Sequence, residues 1–234
     1  MIVASILAVL AHPDDETFIC GGTLAKYAQE GHKVILVCAT KGEMGRRMGV
    51  PPTATRENIS VIREQELKNA CNALGVSELR FLGLRDKLLE IQPFEMLVET
   101  VLVHINEIKP DVIITFHETL GGHPDHCTIG LATNKAFQLF TKDDKYNSTQ
   151  LYYLCWSNVA ENALEYGFDP GQISKINTRP YLQYKLQAFR AHRTQTEMDP
   201  WVWKKNEIAL LKFNEYEYFI QAYGPYIGKI DSLI

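Results

Sequence analysis

Short apolar runs alternate along the chain with segments in which apolar residues recur every three or four positions. The apolar runs cover residues 2–11, 33–40, 79–82, 111–116 and 150–156, and the helical pattern covers residues 22–30, 58–74, 94–108 and 124–140. Strands buried on both faces give such runs, and their alternation with amphipathic helices is typical of βαβ units. The pattern therefore predicts an α/β fold, with a doubly wound, mostly parallel sheet and helices on both faces.

The pattern loosens in the last third of the chain. Residues 180–192 again look helical, whereas the aromatic-rich stretch 213–223 fits neither template well. No segment is rich enough in Pro, Gly or Ser to act as a linker. We therefore expect a single domain over residues 1–234, with residues from about 157 onward packing on it or capping its site.

Composition narrows the class of partner and the compartment. The chain is 46% hydrophobic and carries a net charge of −4, which offers no basic field for a nucleic-acid backbone. Its five cysteines are dispersed and contain no C-x-x-C pair, which fits free thiols in a reducing compartment. The apolar start lacks a basic flank and is interrupted by HPDDE, so it reads as a strand rather than a signal peptide or membrane span. We expect a cytoplasmic protein without a nucleic-acid or membrane partner.

Two polar clusters directly follow buried strands. The first is HPDDE at residues 12–16, after the first strand, and the second is GGHPDH at residues 121–126, after the strand at 111–116. Ligands of open parallel sheets bind where loops leave the carboxyl ends of strands. If the two strands are neighbours, the clusters face each other across a crevice.

The residue types in these clusters suit a metal-dependent hydrolase. His12 and Asp15 are three residues apart where a strand passes into a helix, and His123 and His126 have the same spacing at the start of another helix. Two histidines and one carboxylate leave open positions on a zinc ion for water. Asp14 would then be free to act as a general base on that water.

Three other interpretations remain open at this point. Asp14, Asp15 or Asp125 could simply cap the helices that follow them. Two histidines and a carboxylate also form the iron site of non-haem oxygenases, although the βα alternation and the spare Asp14 argue against that class. A non-catalytic α/β module could bind a nucleotide in the crevice, but the chain has no G-x-G-x-x-G or Walker-type loop. The matching spacing of two clusters favours the metal site.

Four segments in a fixed order resemble the PIG-L/LmbE-type deacetylases. They are AHPDDE, TKGEMG, IREQELKNACNALG and HPDH, and together they span the first 140 residues; KLQAFRAHRTQ at residues 185–195 is similar to the closing motif of that family. The resemblance implies a Rossmann-like sheet and a zinc-dependent N-deacetylase acting on a linear amide. Its substrate would be a small molecule containing N-acetylglucosamine.

Carried over by motif, the resemblance assigns a role to each residue of the clusters. His12, Asp15 and His126 would bind one divalent metal ion, zinc or alternatively iron(II). Asp14 would be the general base, and His123 would stabilise the oxyanion or protonate the leaving amine.

The remaining candidates surround this centre. Asp125 would orient a histidine from outside the metal site. Arg63 would contact substrate, gripping a carboxylate or sugar hydroxyls; the alternative is an exposed helix arginine paired with a glutamate. Glu43 would accept hydrogen bonds from the sugar or lie in solvent, and Asp86 is a weaker candidate of the same type. The role of His192 stays open.

The loop at residues 41–58 is basic and rich in glycine, which suits either a lid over an anionic substrate or a solvated surface loop. Among branches of the family, the bacillithiol-pathway deacetylases of N-acetylglucosaminyl malate resemble the chain most in length and motif style. Another N-acetylated glycan or natural product is the alternative substrate, and self-association into a homo-oligomer is left open.

Overall fold

The computed structural model describes residues 3–224 and 231–234. Within them, seven strands form one sheet. The strands are β1 (Ser5–Leu10), β2 (Lys33–Cys38), β3 (Glu78–Phe81), β4 (Val112–Thr115), β5 (Gln150–Cys155), β6 (Ile173–Asn177) and β7 (Tyr216–Tyr223). Their order across the sheet is β3-β2-β1-β4-β5-β7-β6. The pairs from β3 to β5 are all parallel, whereas β7 runs antiparallel to both β5 and β6.

The central strands are apolar because helices cover both of their faces. Residues 6–10 of β1 and 34–38 of β2 are buried without interruption. A strand with one solvated face would alternate apolar and polar residues instead. Strands β1 and β2 thus lie within the apolar runs predicted at residues 2–11 and 33–40, and each strand ends before its run does; residue 2 lies outside the described residues.

Helices follow the strands in two packed groups. The α-helices are α1 (Asp15–Phe18), α2 (Gly21–Gln29), α3 (Ile59–Leu74), α4 (Phe94–Ile108), α5 (Pro124–Phe140), α6 (Ser157–Glu161), α7 (Leu182–Ala191), α8 (Arg193–Thr196) and α9 (Asn206–Leu210). Helices α2, α3 and α7 pack together, and α4 packs against α5. Because crossovers between parallel strands are right-handed almost without exception, connections that leave β1 toward opposite edges of the sheet place their helices on opposite faces. The predicted α/β class, with a mostly parallel sheet and helices on both faces, is confirmed.

The last third of the chain both packs on the sheet and extends it. Helix α7 lies against α2 and α3, while β7 inserts between β5 and β6. Residues 213–223 could not be assigned to a strand from the sequence, because β7 buries two polar side chains, Glu217 and Gln221, which interrupt its apolar pattern. Glu217 accepts hydrogen bonds from the backbone N–H groups of Gly22 (2.9 Å) and Thr23 (2.7 Å), so it satisfies the start of α2.

The topology creates a crevice between β1 and β4. From β1 the chain proceeds through α2 to β2 on one side, and from β4 through α5 to β5 on the other. Such a point of divergence opens a ligand crevice at the carboxyl ends of the two strands. All five cysteines are free, as predicted. Across residues 3–224 and 231–234, the helices are too short or too polar for a membrane crossing.

Candidate metal-binding active site

The pairing of β1 with β4 joins the two polar clusters. The strands are parallel neighbours with Ile6 opposite Val112, so their following loops leave at the same edge. Nδ1 of His12 consequently lies 3.2 Å from Nε2 of His126, although the two residues are 114 positions apart in sequence. The crevice inferred from the sequence thus has a histidine on each wall.

Asp15 completes a set of three converging ligand atoms. Its Oδ1 lies 3.2 Å from Nε2 of His126, and its Oδ2 lies 3.7 Å from Nδ1 of His12. Nitrogen and oxygen ligands of a tetrahedral zinc ion, each at about 2.0–2.1 Å from it, are about 3.3–3.5 Å apart. The spacing of these atoms fits one shared divalent ion.

Hydrogen bonds on the outer side of each imidazole fix which nitrogen faces the centre. Nε2 of His12 lies 3.0 Å from Oδ2 of Asp125 and 3.2 Å from Oδ1 of Asp86. Nδ1 of His126 lies 2.8 Å from the carbonyl oxygen of Gly121. Since each outer nitrogen donates its proton, Nδ1 of His12 and Nε2 of His126 are left as acceptors for a cation.

Asp125 is anchored as an acceptor rather than as a helix cap. Its carboxylate accepts from the backbone N–H groups of Lys87 (2.6 Å) and Leu89 (3.2 Å) as well as from His12. The residue that caps α5 is His123, whose Nδ1 accepts from the backbone N–H of Asp125 at 3.1 Å. The structure therefore places Asp125 where it can orient His12.

Two further groupings of ligand atoms surround His12. In one, nitrogens of His12, His123 and His126 lie within 4.8 Å of one another; in the other, His12 meets Asp86 and Asp125. The second grouping lies on the outer side of His12, where its proton and the backbone donors to Asp125 already occupy the carboxylates. The first grouping brings a third imidazole to the edge of the centre.

Asp14 stands beside the centre without joining these contacts. It is the N-cap residue that precedes α1, but its side chain makes no capping hydrogen bond. Its backbone has a φ of 111°, which only a few per cent of non-glycine residues adopt. Its Oδ2 accepts from Nη2 of Arg63 at 2.9 Å. Helix capping therefore does not account for Asp14.

Arg63 is held by the protein on the inner side of α3. The side chain is buried, so the alternative of an exposed arginine paired with a glutamate is wrong. Nη1 donates to the carbonyl oxygen of Gly42 (2.8 Å), and Nη2 donates to that of Pro13 as well as to Asp14. Arg63 borders the cavity, but these donors serve Asp14 and two loops, and its contact with substrate stays a prediction.

The two neighbouring aspartates titrate in opposite directions. Burial raises the pKa of Asp14 to about 6, despite the opposing charge of Arg63. For Asp15 burial acts in the same direction, but the charges of His126 and His12 outweigh it and lower the pKa to about 2. One carboxylate is thus suited to bind a cation and the other to exchange a proton near neutral pH.

The pKa values of His12 and His123 are also shifted in opposite directions. Burial opposes a charged His12, but hydrogen bonds to Asp125 and Asp86 outweigh it and raise the pKa of His12 to about 10. Burial lowers the pKa of His123, and the charge of His12 lowers it further. Because Nδ1 of neutral His123 accepts a hydrogen bond, its proton resides on Nε2, which can donate to a substrate oxygen.

A cavity of about 420 Å³ opens over the centre. Its lining combines the two clusters with residues from two loops and from helices α3 and α8: His12, Asp14, Asp15, Met44, Gly45, Arg46, Arg63, Asp86, Lys87, His123, His126 and Gln195. Glu43 is not among the described residues of this lining. Its Oε1 accepts from the backbone N–H of Asp86 (3.0 Å), and the side chain borders a neighbouring depression.

The basic loop at residues 41–58 is largely tied down. Arg47 pairs with Asp199 at 2.6 Å, and Nη1 of Arg56 donates to the carbonyl oxygen of Gly45 at 2.7 Å. Lys41 is bound to a glutamate on α3, away from the cavity. Of the four basic side chains in this loop, Arg46 is the one that lines the cavity.

Two residues near the centre have more contacts there than the sequence indicated. Asp86 was a weaker candidate, yet its Oδ1 lies 3.2 Å from Nε2 of His12. The feature that pointed to it in the sequence was its position after a strand of the parallel sheet. His192 is fully buried, and its Nε2 lies 2.6 Å from Oε1 of Glu16. Its signal was the closing motif, but nothing local to residue 192 identifies a partner 176 residues away.

Two imidazoles and a carboxylate around one point, with an unbound carboxylate beside them, define a metal-dependent α/β enzyme of the hydrolase type. Residues 7–137, more than half of the chain, match the family model of the GlcNAc-PI de-N-acetylases, PIG-L. The chain belongs to this family.

Individual relatives agree with the family assignment. The chain is 38% identical over 192 residues to a probable N-acetyl-alpha-D-glucosaminyl L-malate deacetylase 2 of Bacillus subtilis, covering 82% of this chain and 83% of that protein. It is 29% identical over 268 residues to a 1D-myo-inositol 2-acetamido-2-deoxy-alpha-D-glucopyranoside deacetylase of Thermobifida fusca, covering 94% and 93%. The N,N'-diacetylchitobiose deacetylase of Pyrococcus horikoshii shares the fold, with a TM-score of 0.66 and 22% identity over 93% of this chain and 83% of that one.

Proposed function

We propose that the protein is a metal-dependent N-deacetylase that hydrolyses the acetamido group of a small molecule containing N-acetylglucosamine. The observation that carries the proposal is the convergence of His12, Asp15 and His126 within 3.2–3.7 Å, beside an aspartate that stays out of the cluster. The donor set fits zinc, with iron(II) as the alternative. The five cysteines of the chain are free, which supports a reducing compartment. We therefore propose that the enzyme is cytoplasmic, and that it works as a single domain.

The side chains divide the work of amide hydrolysis. A bound divalent ion would polarise the acetyl carbonyl and lower the pKa of a water molecule. Asp14 accepts the proton of the attacking water, and its raised pKa suits a base near neutral pH. Arg63 holds the carboxylate of Asp14 in place.

The collapse of the tetrahedral species needs a proton and a hydrogen-bond donor. The carbon–nitrogen bond breaks to give acetate and the free sugar amine, and the proton that Asp14 took goes to the amine nitrogen. Nε2 of His123 donates to the oxyanion, a contact worth about 3 kcal/mol in comparable sites. Asp125 keeps the inner nitrogen of His12 directed at the centre.

For the aglycone we propose malate. The 38% identical Bacillus subtilis relative is named for a malate conjugate. Two cationic side chains, Arg46 and Lys87, line the cavity, and the described part of the chain gives neither an ion-pair partner. Free cations at the rim favour a dianionic aglycone over a neutral inositol, because the malate carboxylates can pair with them.

An amine-release assay tests the reaction. Protein loaded with zinc is mixed with N-acetylglucosaminyl malate, its inositol counterpart and N-acetylglucosamine, and the free amine is measured. We expect release that requires metal and is fastest with the malate conjugate. Failure to deacetylate any of the three substrates with a fully occupied site would refute the function.

Variants of the two cationic residues at the rim test whether the protein recognises a carboxylated aglycone. Arg46→Ala and Lys87→Ala should each raise KM for the malate conjugate about tenfold, a loss of about 1.4 kcal/mol. Their kinetics on N-acetylglucosamine should not change. Lys41→Ala is the matched control, because it removes a cation from the same loop outside the cavity. Equal effects on charged and neutral substrates would contradict carboxylate recognition while leaving the reaction itself intact.

A further inference from the structure

A buried carboxylate–imidazole pair lies directly behind the proposed base. Glu16 and His192 are both fully buried, and His192 Nε2 lies 2.6 Å from Glu16 Oε1. The hydroxyl of Thr17 donates to the same oxygen. The other oxygen, Oε2, accepts from the backbone N–H of Asp14 at 3.0 Å. Glu16 therefore connects the carboxyl end of α7 to the proposed base.

The hydrogen bond to Asp14 acts on a strained part of the backbone. A non-glycine residue at a φ of 111° costs on the order of 1–3 kcal/mol and persists only when its surroundings hold it there. A hydrogen bond from a backbone N–H to an ionised carboxylate is about twice as strong as a neutral one. Glu16 thus fixes the peptide whose orientation sets the direction of the Asp14 side chain.

His192 is placed for Glu16 rather than for packing alone. Its Nδ1 has no hydrogen-bond partner within the described structure, although the side chain is fully buried. A buried polar atom without a partner costs about 1–3 kcal/mol, which an apolar ring of similar size would avoid. Packing would favour such a ring, so the bond to Glu16 is what the imidazole adds.

We propose that Glu16 and His192 are positioning residues that hold Asp14 in its working conformation. The last third of the chain thereby contributes to the active site without touching substrate. The inference rests on the proposed role of Asp14 as the base. It predicts that loss of the pair lowers kcat, while KM and metal content stay as they are.

Four variants, each loaded with zinc, test the inference against the wild type. His192→Leu removes the imidazole, and Glu16→Gln removes the charge while keeping the shape. We expect kcat to fall about 10- to 100-fold in each, the range that small misplacements of a catalytic group produce, with KM within twofold and metal at one equivalent. His192→Gln, whose amide can still donate to Glu16, should recover most of the lost kcat.

The fourth variant, Lys185→Gln, controls for instability. It breaks another buried ion pair of α7, in which Lys185 Nζ lies 2.5 Å from Glu217 Oε1, and none of its contacts involves Asp14. It should lower Tm and leave kcat per folded molecule unchanged.

If His192→Leu and Glu16→Gln reduce kcat no more than this control, or if they lose metal, the inference is overturned. Should His192→Leu not fold, the isosteric Glu16→Gln decides the question alone. Asp14→Asn is measured in parallel. An active Asp14→Asn would refute the base itself, whereas an inactive one beside an unaffected Glu16→Gln would refute only the positioning.

Discussion

At the scale of single residues, the site depends on the contrast between Asp14 and Asp15. They are adjacent in sequence, yet Asp15 contacts two imidazoles while Asp14 contacts a guanidinium. The pKa of Asp15 is accordingly lowered and that of Asp14 raised. Two acids with pKa values pushed apart can serve as ligand and base in the same site.

Replacing Asp14 by asparagine should separate metal binding from turnover. The side chain keeps its shape and an oxygen for Arg63, so metal should remain at one equivalent. Proton transfer is lost, and kcat should fall by about 10²–10⁴. Metal analysis together with amine release checks both. Asp15→Asn is the comparison, because it should lose the metal; an Asp14→Asn enzyme that still turns over would exclude Asp14 as the base.

Asp14→Asn should also change how the stability of the metal-free protein depends on pH. An acid whose pKa is raised on folding, here from 3.8 to about 6, makes the folded state bind more protons than the unfolded state between those values. This contribution to stability is therefore fully present below pH 3.8 and is lost as pH rises through 6. Asp14→Asn removes this dependence, so its unfolding free energy at pH 7.5, measured in urea, should equal or exceed that of the wild type.

At the scale of elements, the turn after β2 couples the loop to α3. Gly42 has a φ of 63°, and a Cβ at this position would lie 2.0 Å from Nη1 of Arg63. The guanidinium lies against the turn and reaches Asp14 from there. The turn and α3 thus determine together where the base is held.

Gly42→Ala should displace Arg63 and reduce activity through Asp14. Gly83→Ala is the matched control, because Gly83 has a similar φ of 73° and open space around its Cβ position. The control should lose about 1 kcal/mol of stability and keep its kcat. Gly42→Ala should lose more stability and at least tenfold in kcat; equal kcat values for the two variants would show that the contact with Arg63 is not needed.

The sequence predicted those elements whose signal is local. Helices Phe94–Ile108 and Pro124–Phe140 were predicted to the residue, because a proline stands at one end of each and the apolar period is regular. Four of the five predicted strands were too long, since apolar residues continue past the last ladder hydrogen bond, and the fifth, at residues 79–82, was shifted by one residue. Strand β7 was missed because its buried polar residues find partners in distant elements.

The residues of the site also differ in whether a local pattern in the sequence could predict their place. The clusters at residues 12–16 and 121–126 could be read as metal-site motifs because each is contiguous. Arg63 was located by its motif, but its partners Pro13 and Gly42 lie 50 and 21 positions away, so its burial could not be foreseen. Nothing in the sequence around Glu43 identifies its partner, because the backbone N–H of Asp86, from which it accepts a hydrogen bond, comes from a distant loop.

At the scale of the whole molecule, the proposed ion would link segments far apart in sequence. His12 and Asp15 follow β1, His126 follows β4, and Glu16 ties the same turn to the end of α7. In the metal-free protein His12 has a pKa raised to about 10, so its proton contributes stability that is present below pH 6.5 and is lost as pH rises through 10. A divalent ion must displace that proton, so its affinity should increase with pH.

Zinc should therefore stabilise the whole fold and release protons as it binds. At a free concentration 100 times Kd, the free energy of unfolding should increase by about 2.7 kcal/mol, visible as a higher Tm that a chelator reverses. Calorimetry in two buffers of different ionisation enthalpy should show proton release at pH 7. His126→Ala should abolish both effects, whereas His104→Ala, which changes a histidine of α4 beside Arg80, should keep them. An undiminished rise in Tm for His126→Ala would mean that zinc binds elsewhere on the molecule.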